Sequence, residues 1–339
     1  MIRVAINGYG RIGRVSHRVI LEKYASEIEI VAINVGSSTD LQGWAYLLKY
    51  DTAYGPLQNH EVSINSETNS LVIDGKEIHV FSQKDPSLLP WKDLGVDVVI
   101  ESTGHFKTEE QLQAHIKAGA KHVVLSAPAK GDVPTYVLSV NADKYNGESV
   151  INNASCTTNC IAPVAKIMVE KFGVEKAMMT TVHGYTSDQN LQDGGHKDYR
   201  RARAAAQNII PTSTGATTAA AQAVPELKDK FAGLSLRVPV IVGSLSDFTF
   251  LLKKETTKDE INAVLTQAAE NTAYKGILAV TNDPIVSSDI IGNSHSSIVD
   301  LSLTQVVGGN MVKIIAWYDN EFGYANRLVE EAVLVGRKK

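Results

Sequence analysis

Apolar positions follow two regimes along the chain. In the first half, short all-apolar runs alternate with helical spacing: Ile2 to Ile6, then Val15, Val19, Ile20 and Leu21, then Ile28 to Ile33. Such runs, joined by amphipathic helices, predict parallel strands with crossover helices. Val96 to Glu101 and His122 to Leu125 extend the set, and Val150 and Ile151 close it. Residues 51–90 mix short alternating runs with turns, which predicts an inserted or mixed-edge part of the same sheet. Beyond residue 156 the strands lengthen: Ala177 to Val182, Leu234 to Val242, Asp247 to Lys253 and Met311 to Trp317, with helices near 157–171, 215–225 and 258–270. The pattern predicts an α/β first domain and an α+β second domain on a mixed or antiparallel sheet.

The first strand runs straight into Gly8-Tyr9-Gly10-Arg11-Ile12-Gly13 and then into a helix. A lone G-x-G-x-x-G is a weak signal, but a second strand follows at βαβ distance, the context a Rossmann-type dinucleotide site needs. The alternative is a glycine turn with a structural role only. An acid for the adenine-ribose hydroxyls should end the second strand, yet the chain reads Asn34-Val35-Gly36-Ser37-Ser38-Thr39, and Asp40 lies too late. A carboxylate there would repel a 2′-phosphate, so Val35 suits NADP, unless it is a neutral replacement and NAD binds through other contacts. Two later strands end in Ser102-Thr103-Gly104 and Ser126-Ala127-Pro128, on the edge where open parallel sheets bind ligands.

The second chemical signal is Ala154-Ser155-Cys156-Thr157-Thr158-Asn159-Cys160, between a strand pattern and a helix pattern. Cys156 falls at a helix start, where unpaired N–H groups and the dipole favour a thiolate. Pro163 is expected to kink the helix without ending it. Cys160, one turn deeper, reads as packed core. No second cysteine pair and no H-x-x-x-H spacing support a metal site, so none is expected. His183 ends a strand and would lower the thiol pKa and act as base and acid if it met Cys156 in space. The polar stretch Ser187 to Gln207, with its run His196 to Arg203, reads as an interaction loop or a solvated face.

The chain has 339 residues, 44% of them hydrophobic and 21% charged, with net charge −4 and two cysteines. That is enough for two globular domains. It gives no general attraction to nucleic acid or anionic membrane. No run of 18 apolar residues occurs, no signal-peptide pattern opens the chain, and so few cysteines fit a reducing, cytoplasmic compartment.

Seven motifs stand together in order: NGYGRIGR at 7–14, ASCTTNC at 154–160, TVHGYT at 181–186, HKDYRRARA at 196–204, IIPTSTGAT at 209–217, LRVP at 236–239 and WYDNEFGY at 317–324. End to end, the chain closely resembles phosphorylating glyceraldehyde-3-phosphate dehydrogenases. The resemblance implies a Rossmann-type domain over 1–155, completed by a C-terminal helix at about 320–339, and a catalytic domain over 156–319. It implies that Cys156 attacks the aldehyde of glyceraldehyde 3-phosphate, that His183 takes the proton, that hydride passes to the nicotinamide, and that inorganic phosphate displaces the thioester. Thr186 and Arg237 match the substrate-phosphate positions, and Ser155, Thr157, Thr214 and Gly215 the inorganic-phosphate positions. The cofactor would meet Gly8, Gly10, Arg11, Ile12, Gly13, Asn34, Val35, Thr103, Ser126, Asn320 and Tyr324. The 187–207 loop would reach a neighbouring subunit in a homotetramer, with Gly194 and Gly195 where NAD-specific relatives carry a Leu-Pro pair. With Val35, this resembles the NADP-using or dual-specificity branch. Val242 stands where the family usually has Asn, with no functional account. The nearest rival is erythrose-4-phosphate dehydrogenase, which tends to lack Thr186 and the Thr214-Gly215-Ala216 run. A rival of another class is an additional RNA- or protein-binding role. Neither membrane nor nucleic acid is required.

Overall fold

The computed structural model describes residues 1–338 and divides into two compact units. The first holds Met1–Tyr136, Tyr145–Ala154 and Ala325–Lys339, and the second holds Val137–Lys144 and Ser155–Tyr324.

The first unit contains β1 (Ile2–Asn7), α1 (Arg11–Val19), β2 (Ile28–Asn34), α2 (Leu41–Lys49), β3 (Val62–Asn65), β4 (Ser70–Ile73), β5 (Lys76–Phe81), β6 (Val98–Glu101), α3 (Glu109–Lys117), β7 (His122–Leu125) and β8 (Val150–Asn152). Its sheet runs β3-β4-β5-β2-β1-β6-β7-β8. The six strands from β5 to β8 are parallel, while β3 and β4 pair antiparallel at the edge. That is the mixed edge expected of residues 51–90. The chain reverses direction of travel across the sheet at β1, so the ends of β1 and β6 form the switch point where such sheets bind ligands. The continuous Val and Ile runs are explained by burial on both faces: Val4, Ala5, Ile6, Val98, Val99 and Ile100 are fully enclosed.

The second unit begins with α4 (Cys156–Phe172) and continues through β9 (Val174–Gly184), β10 (Ile210–Ser213), α5 (Ala216–Ala223), β11 (Phe231–Val238), β12 (Ser244–Leu252), α6 (Lys258–Glu270), β13 (Leu278–Thr281), β14 (Ser297–Asp300), β15 (Gln305–Val307) and β16 (Met311–Tyr318). α7 (Phe322–Arg337) carries the chain back to the first unit. The sheet is mixed, in the order β10-β11-β9-β12-β16-β14-β13 with β15 beside β16. β11 runs parallel to β9, whereas β12 runs antiparallel to it. β12 alternates strictly: Ser244, Ser246, Phe248, Phe250 and Leu252 are buried and the residues between them are not. The expected strand at Leu234 to Val242 is shifted, because Pro239 has no N–H to give a ladder and β11 stops before it. Pro163 lies inside α4, which continues nine residues beyond it.

Candidate active site

Local chemistry fixes the start of α4. Ser155 is extended and its Oγ accepts the N–H of Thr158 at 3.1 Å, a side-chain cap that makes Cys156 the first helical residue. Cys156 is half-buried. Its Sγ lies 3.4 Å from Nε2 of His183, near the end of β9. The imidazole Nδ1 is 2.6 Å from the carbonyl oxygen of Gly184. Donation to that carbonyl puts the ring proton on Nδ1 and leaves the Nε2 lone pair facing the thiol. Arg237 stands opposite His183 in the β11–β9 register, and its Nη1 is 3.0 Å from Nδ1 and 3.4 Å from Oγ1 of Thr186, to which it donates.

Burial pushes the Cys156 thiol up, and the Arg237 charge opposes that. Burial, followed by the same guanidinium, drops His183 to about 3. Burial thus disfavours both the thiolate and the imidazolium in the unliganded protein, which works against the ion pair expected of these two residues. The cation that favours the thiolate is Arg237, helped by the first-turn N–H groups of α4. Cys160 is fully buried against Ser297 and Ala316, and burial lifts its thiol to about 12, as a packed residue requires.

The predicted phosphate residues fall into two groups. Thr186 and Arg237 meet directly. Nε of Arg237 is buried without a partner, and so is Nε2 of Gln189, whose Oε1 accepts the Thr186 N–H at 3.3 Å. Buried donors left unsatisfied mark a place for an anion. Thr214 and Gly215 lie at the start of α5, and Oγ1 of Thr214 accepts the N–H of Ala216 at 3.1 Å. The Thr157 hydroxyl turns inward to Tyr318 Oη at 2.9 Å, so only its main chain is left for a ligand. Asn320 presents Oδ1 to the N–H of Gly243 and to Ser244 Oγ, at 3.1 and 2.9 Å. Val242 is fully buried beside Gly184, and nothing in the structure explains its difference from the family. Gly194 and Gly195 are exposed, and a side chain at Gly195 would meet nothing.

In the first unit the glycine loop has the close approaches it needs. Gly8 has φ +94°, and a Cβ there would lie 2.5 Å from Thr103 N. One at Gly13 would lie 2.2 Å from the Gly8 carbonyl oxygen. One at Gly10 would meet no protein atom, which leaves open the space a pyrophosphate fills at the start of α1. Thr103 is held by Glu101 Oε1, which accepts its N–H at 2.9 Å and also its hydroxyl. Ser126 follows β7 and donates its N–H to the Glu101 carbonyl oxygen at 2.8 Å. The Asn34 side chain is committed elsewhere, bridging Asn7 and the Gln83 main chain. The Arg11 guanidinium pairs with Asp51 at 2.5 Å, so a side-chain role on the pyrophosphate competes with that carboxylate. Val35 follows β2 and donates its N–H to the Phe81 carbonyl oxygen at 2.8 Å, while Asp40 caps α2 by accepting the Gly43 N–H.

Residues 2–109 match the model of the glyceraldehyde 3-phosphate dehydrogenase NAD binding domain, and residues 155–320 match that of the glyceraldehyde 3-phosphate dehydrogenase C-terminal domain. Over 339 residues the chain is 53% identical to the glyceraldehyde-3-phosphate dehydrogenase of Streptomyces coelicolor, covering 99% of each chain. Identity to that of Thermotoga maritima is 52% over 336 residues, and to that of Geobacillus stearothermophilus 50% over 339, again with 99% of each chain covered. The chain belongs to the glyceraldehyde-3-phosphate dehydrogenase family. It is thus an NAD(P)-dependent phosphorylating dehydrogenase, with the Rossmann and α+β pair of domains that the sequence predicts.

Sequence reading of this glyceraldehyde-3-phosphate dehydrogenase family member missed several supports. Tyr318 packs edge-on to His183 with ring centroids 6.1 Å apart, and its hydroxyl joins Thr157 and Thr181. Glu101 is bound by Asn7 and lies 3.1 Å from His115, which accepts from the Trp91 indole at 3.0 Å. Gln189 is the third. The only sequence signal for these was polar residues inside strands or beside motifs. No helix among the described residues is long and apolar enough to cross a membrane.

Proposed function

We propose that Cys156 is the nucleophile and His183 the general base and acid in the oxidative phosphorylation of D-glyceraldehyde 3-phosphate to 1,3-bisphosphoglycerate, and in its reverse. The observation that carries this reading is the 3.4 Å approach of Sγ to an Nε2 lone pair at the first residue of α4. Sulfur adds to the aldehyde carbon while its proton passes through Nε2 to the carbonyl oxygen, giving a hemithioacetal. Nε2 then takes back that hydroxyl proton as the carbon is oxidised to a thioester. The bound nicotinamide cofactor supplies the acceptor for the hydride that leaves this carbon. A phosphate oxygen attacks the thioester, the C–S bond breaks, and the imidazolium returns its proton to sulfur. A thiol is preferred over a hydroxyl because it both attacks and leaves well.

Arg237, Thr186 and Gln189 hold the substrate phosphate with donors that otherwise stay unsatisfied. Ser155, the Thr157 main chain, Thr214 and Gly215 receive inorganic phosphate near two helix starts. Asn320, its oxygen already taken, offers Nδ2 to the nicotinamide carboxamide. Gly8 to Gly13 cradle the pyrophosphate, Thr103 and Ser126 face the nicotinamide side, and Val35 admits NADP as readily as NAD. The exposed side chains of Leu191 and Tyr199 in the 187–207 loop support a homotetramer closed over that loop. Two free thiols fit a cytoplasmic setting.

The test is kcat/KM for glyceraldehyde 3-phosphate and erythrose 4-phosphate, each with NAD and with NADP. The triose phosphate with phosphate is expected to be the better substrate. Cys156→Ser should lose activity by several orders of magnitude, while Cys160→Ser keeps most of it. Preferential iodoacetate labelling of Cys160 with activity intact would overturn the assignment.

A further inference from the structure

Four places in the chain put Asn or Asp directly before Gly: Asn7-Gly8, Asp74-Gly75, Asn146-Gly147 and Asp193-Gly194. Such pairs are chemically vulnerable, because no Cβ on the glycine hinders its nitrogen from closing a five-membered ring on the preceding side chain. Three of the four are held. Asn7 is fully buried between Glu101 and Asn34, and the Gly8 N–H donates to the Asn34 carbonyl oxygen at 2.9 Å. The Asp74 carboxylate accepts the Glu61 N–H at 2.9 Å and lies 2.7 Å from Nδ1 of His60. Asp193 accepts from Arg203 and from the Ala204 N–H, at 2.6 and 3.0 Å, and the Gly194 N–H donates to Ala202. Asn146-Gly147 is exposed in the irregular segment before β8, and among the described residues neither the Asn146 side chain nor the Gly147 N–H has a partner.

This pair also has a cation beside it. Lys338 Nζ donates to the Tyr145 carbonyl oxygen at 3.1 Å, and a Cβ on Gly147 would lie 3.8 Å from the same nitrogen. An ammonium at that range favours the negative charge that develops on the Gly147 nitrogen and on the amide oxygen it attacks. The nearby acid is engaged elsewhere: Glu148 accepts the Asn146 N–H and the Tyr136 hydroxyl, each at 3.0 Å. The main chain of Asn146 is therefore anchored while its side chain is left to react.

We propose that Asn146 is a site of spontaneous deamidation promoted by Lys338. The Gly147 nitrogen gives its proton to solvent and bonds to Cγ of Asn146, the Cγ–Nδ2 bond breaks, and ammonia leaves, so a succinimide forms. Water opens that ring at either carbonyl, giving aspartate or, with the main chain rerouted through Cγ, isoaspartate. Nothing is oxidised or reduced. Each event takes the formal net charge of −4 one unit lower.

The test ages the full-length protein in mildly alkaline buffer and maps its peptides by mass. The peptide carrying Asn146 is expected to gain about 1 Da before that of any other asparagine, and to become a substrate for isoaspartyl methyltransferase. In urea, where Asn7 loses its burial, both Asn-Gly peptides should change. Asn146→Gln, whose longer side chain disfavours the ring, should remove the new acidic form seen on isoelectric focusing. Lys338→Met should slow the reaction roughly fivefold, the equivalent of about 1 kcal/mol between charges 4 Å apart in water. An Asn146 amide that outlasts Asn7 or any other asparagine in the folded protein overturns the site, and an unchanged rate in Lys338→Met overturns the part given to the cation.

Discussion

The two units solve ligand binding in different materials. In the first, the cofactor edge is made by backbone: glycines packed against a neighbouring strand, N–H groups at a helix start, and small residues ending parallel strands. In the second, the proposed reaction site is made by side chains brought from four places in the sequence: Cys156 on α4, His183 on β9, Arg237 on β11 and Tyr318 on β16. A backbone site tolerates many surrounding sequences but no added Cβ. A side-chain site tolerates backbone variation but no loss of a functional group. The difference predicts opposite mutational profiles.

The largest expected effect is on the side-chain site. His183→Asn keeps size and polarity but removes the base, and kcat should fall roughly 10²–10⁴-fold, with NAD(P) affinity unchanged when measured by fluorescence quenching. A matching loss of cofactor affinity would break the division between the two kinds of site. In the first unit, Gly8→Ala adds only a methyl group, yet it forces an alanine into positive φ and against Thr103 N. A loss of about 3 kcal/mol is expected, read as a fall in urea midpoint together with weaker cofactor binding. Full retention of both would show that this loop is not packed as closely as the comparison requires.

Acid tests both units at once, because each hides a neutral histidine. Burial drops His17 and His183 to about 3 from an ordinary 6.5. The unfolded chain therefore binds more protons than the folded one between these values. The stability these neutral imidazoles contribute is complete above about pH 6.5 and is lost as pH falls toward 3. From pH 6.5 to 5 the cost should approach about 2 kcal/mol per histidine, seen in urea unfolding, and His183→Asn should remove its share. A flat profile across that range would mean that neither imidazole is kept neutral by its surroundings.

The smallest effect concerns cofactor choice. Val35→Asp places a carboxylate where a 2′-phosphate would lie, costing on the order of 1 kcal/mol in water and more where partly buried. NADP should weaken about tenfold, with NAD equal or improved, in direct binding titrations. Equal loss for both cofactors would remove Val35 from the specificity argument.

The same contrast governs what the sequence could disclose. The glycine fingerprint, the parallel runs and the cysteine at a helix start are local patterns, and each is written within a few consecutive residues. Their structural settings were legible for that reason. The contact between His183 and Arg237 depends on β9 and β11 pairing in parallel with one register, over 54 residues of separation. Apolar periodicity does not encode register, and it starts the second strand three residues late because Val240 and Val242 continue its alternation past Pro239. Motif resemblance supplied Arg237 where spacing could not. Glu101 and His115 stayed hidden because a buried acid in an apolar run declares itself only once its partners are known. Tyr318 reads as one more strand aromatic until the His183 ring is beside it.

The chain enters the second unit for residues 137–144, returns for 145–154, and closes the first unit only with 325–337. That last helix is tied to the beginning of the chain: Arg337 pairs with Glu27, Glu330 accepts from Tyr24 at 3.1 Å, and Gly336 is pressed against Ile2. The nucleotide-binding half is therefore a discontinuous body, whose opening strand and closing helix stand about 300 residues apart in the chain and meet only when everything between them has been spanned. Any loosening of that helix is thus felt as a loosening of the first strand, which couples the two most distant stretches of the unit into one cooperative body.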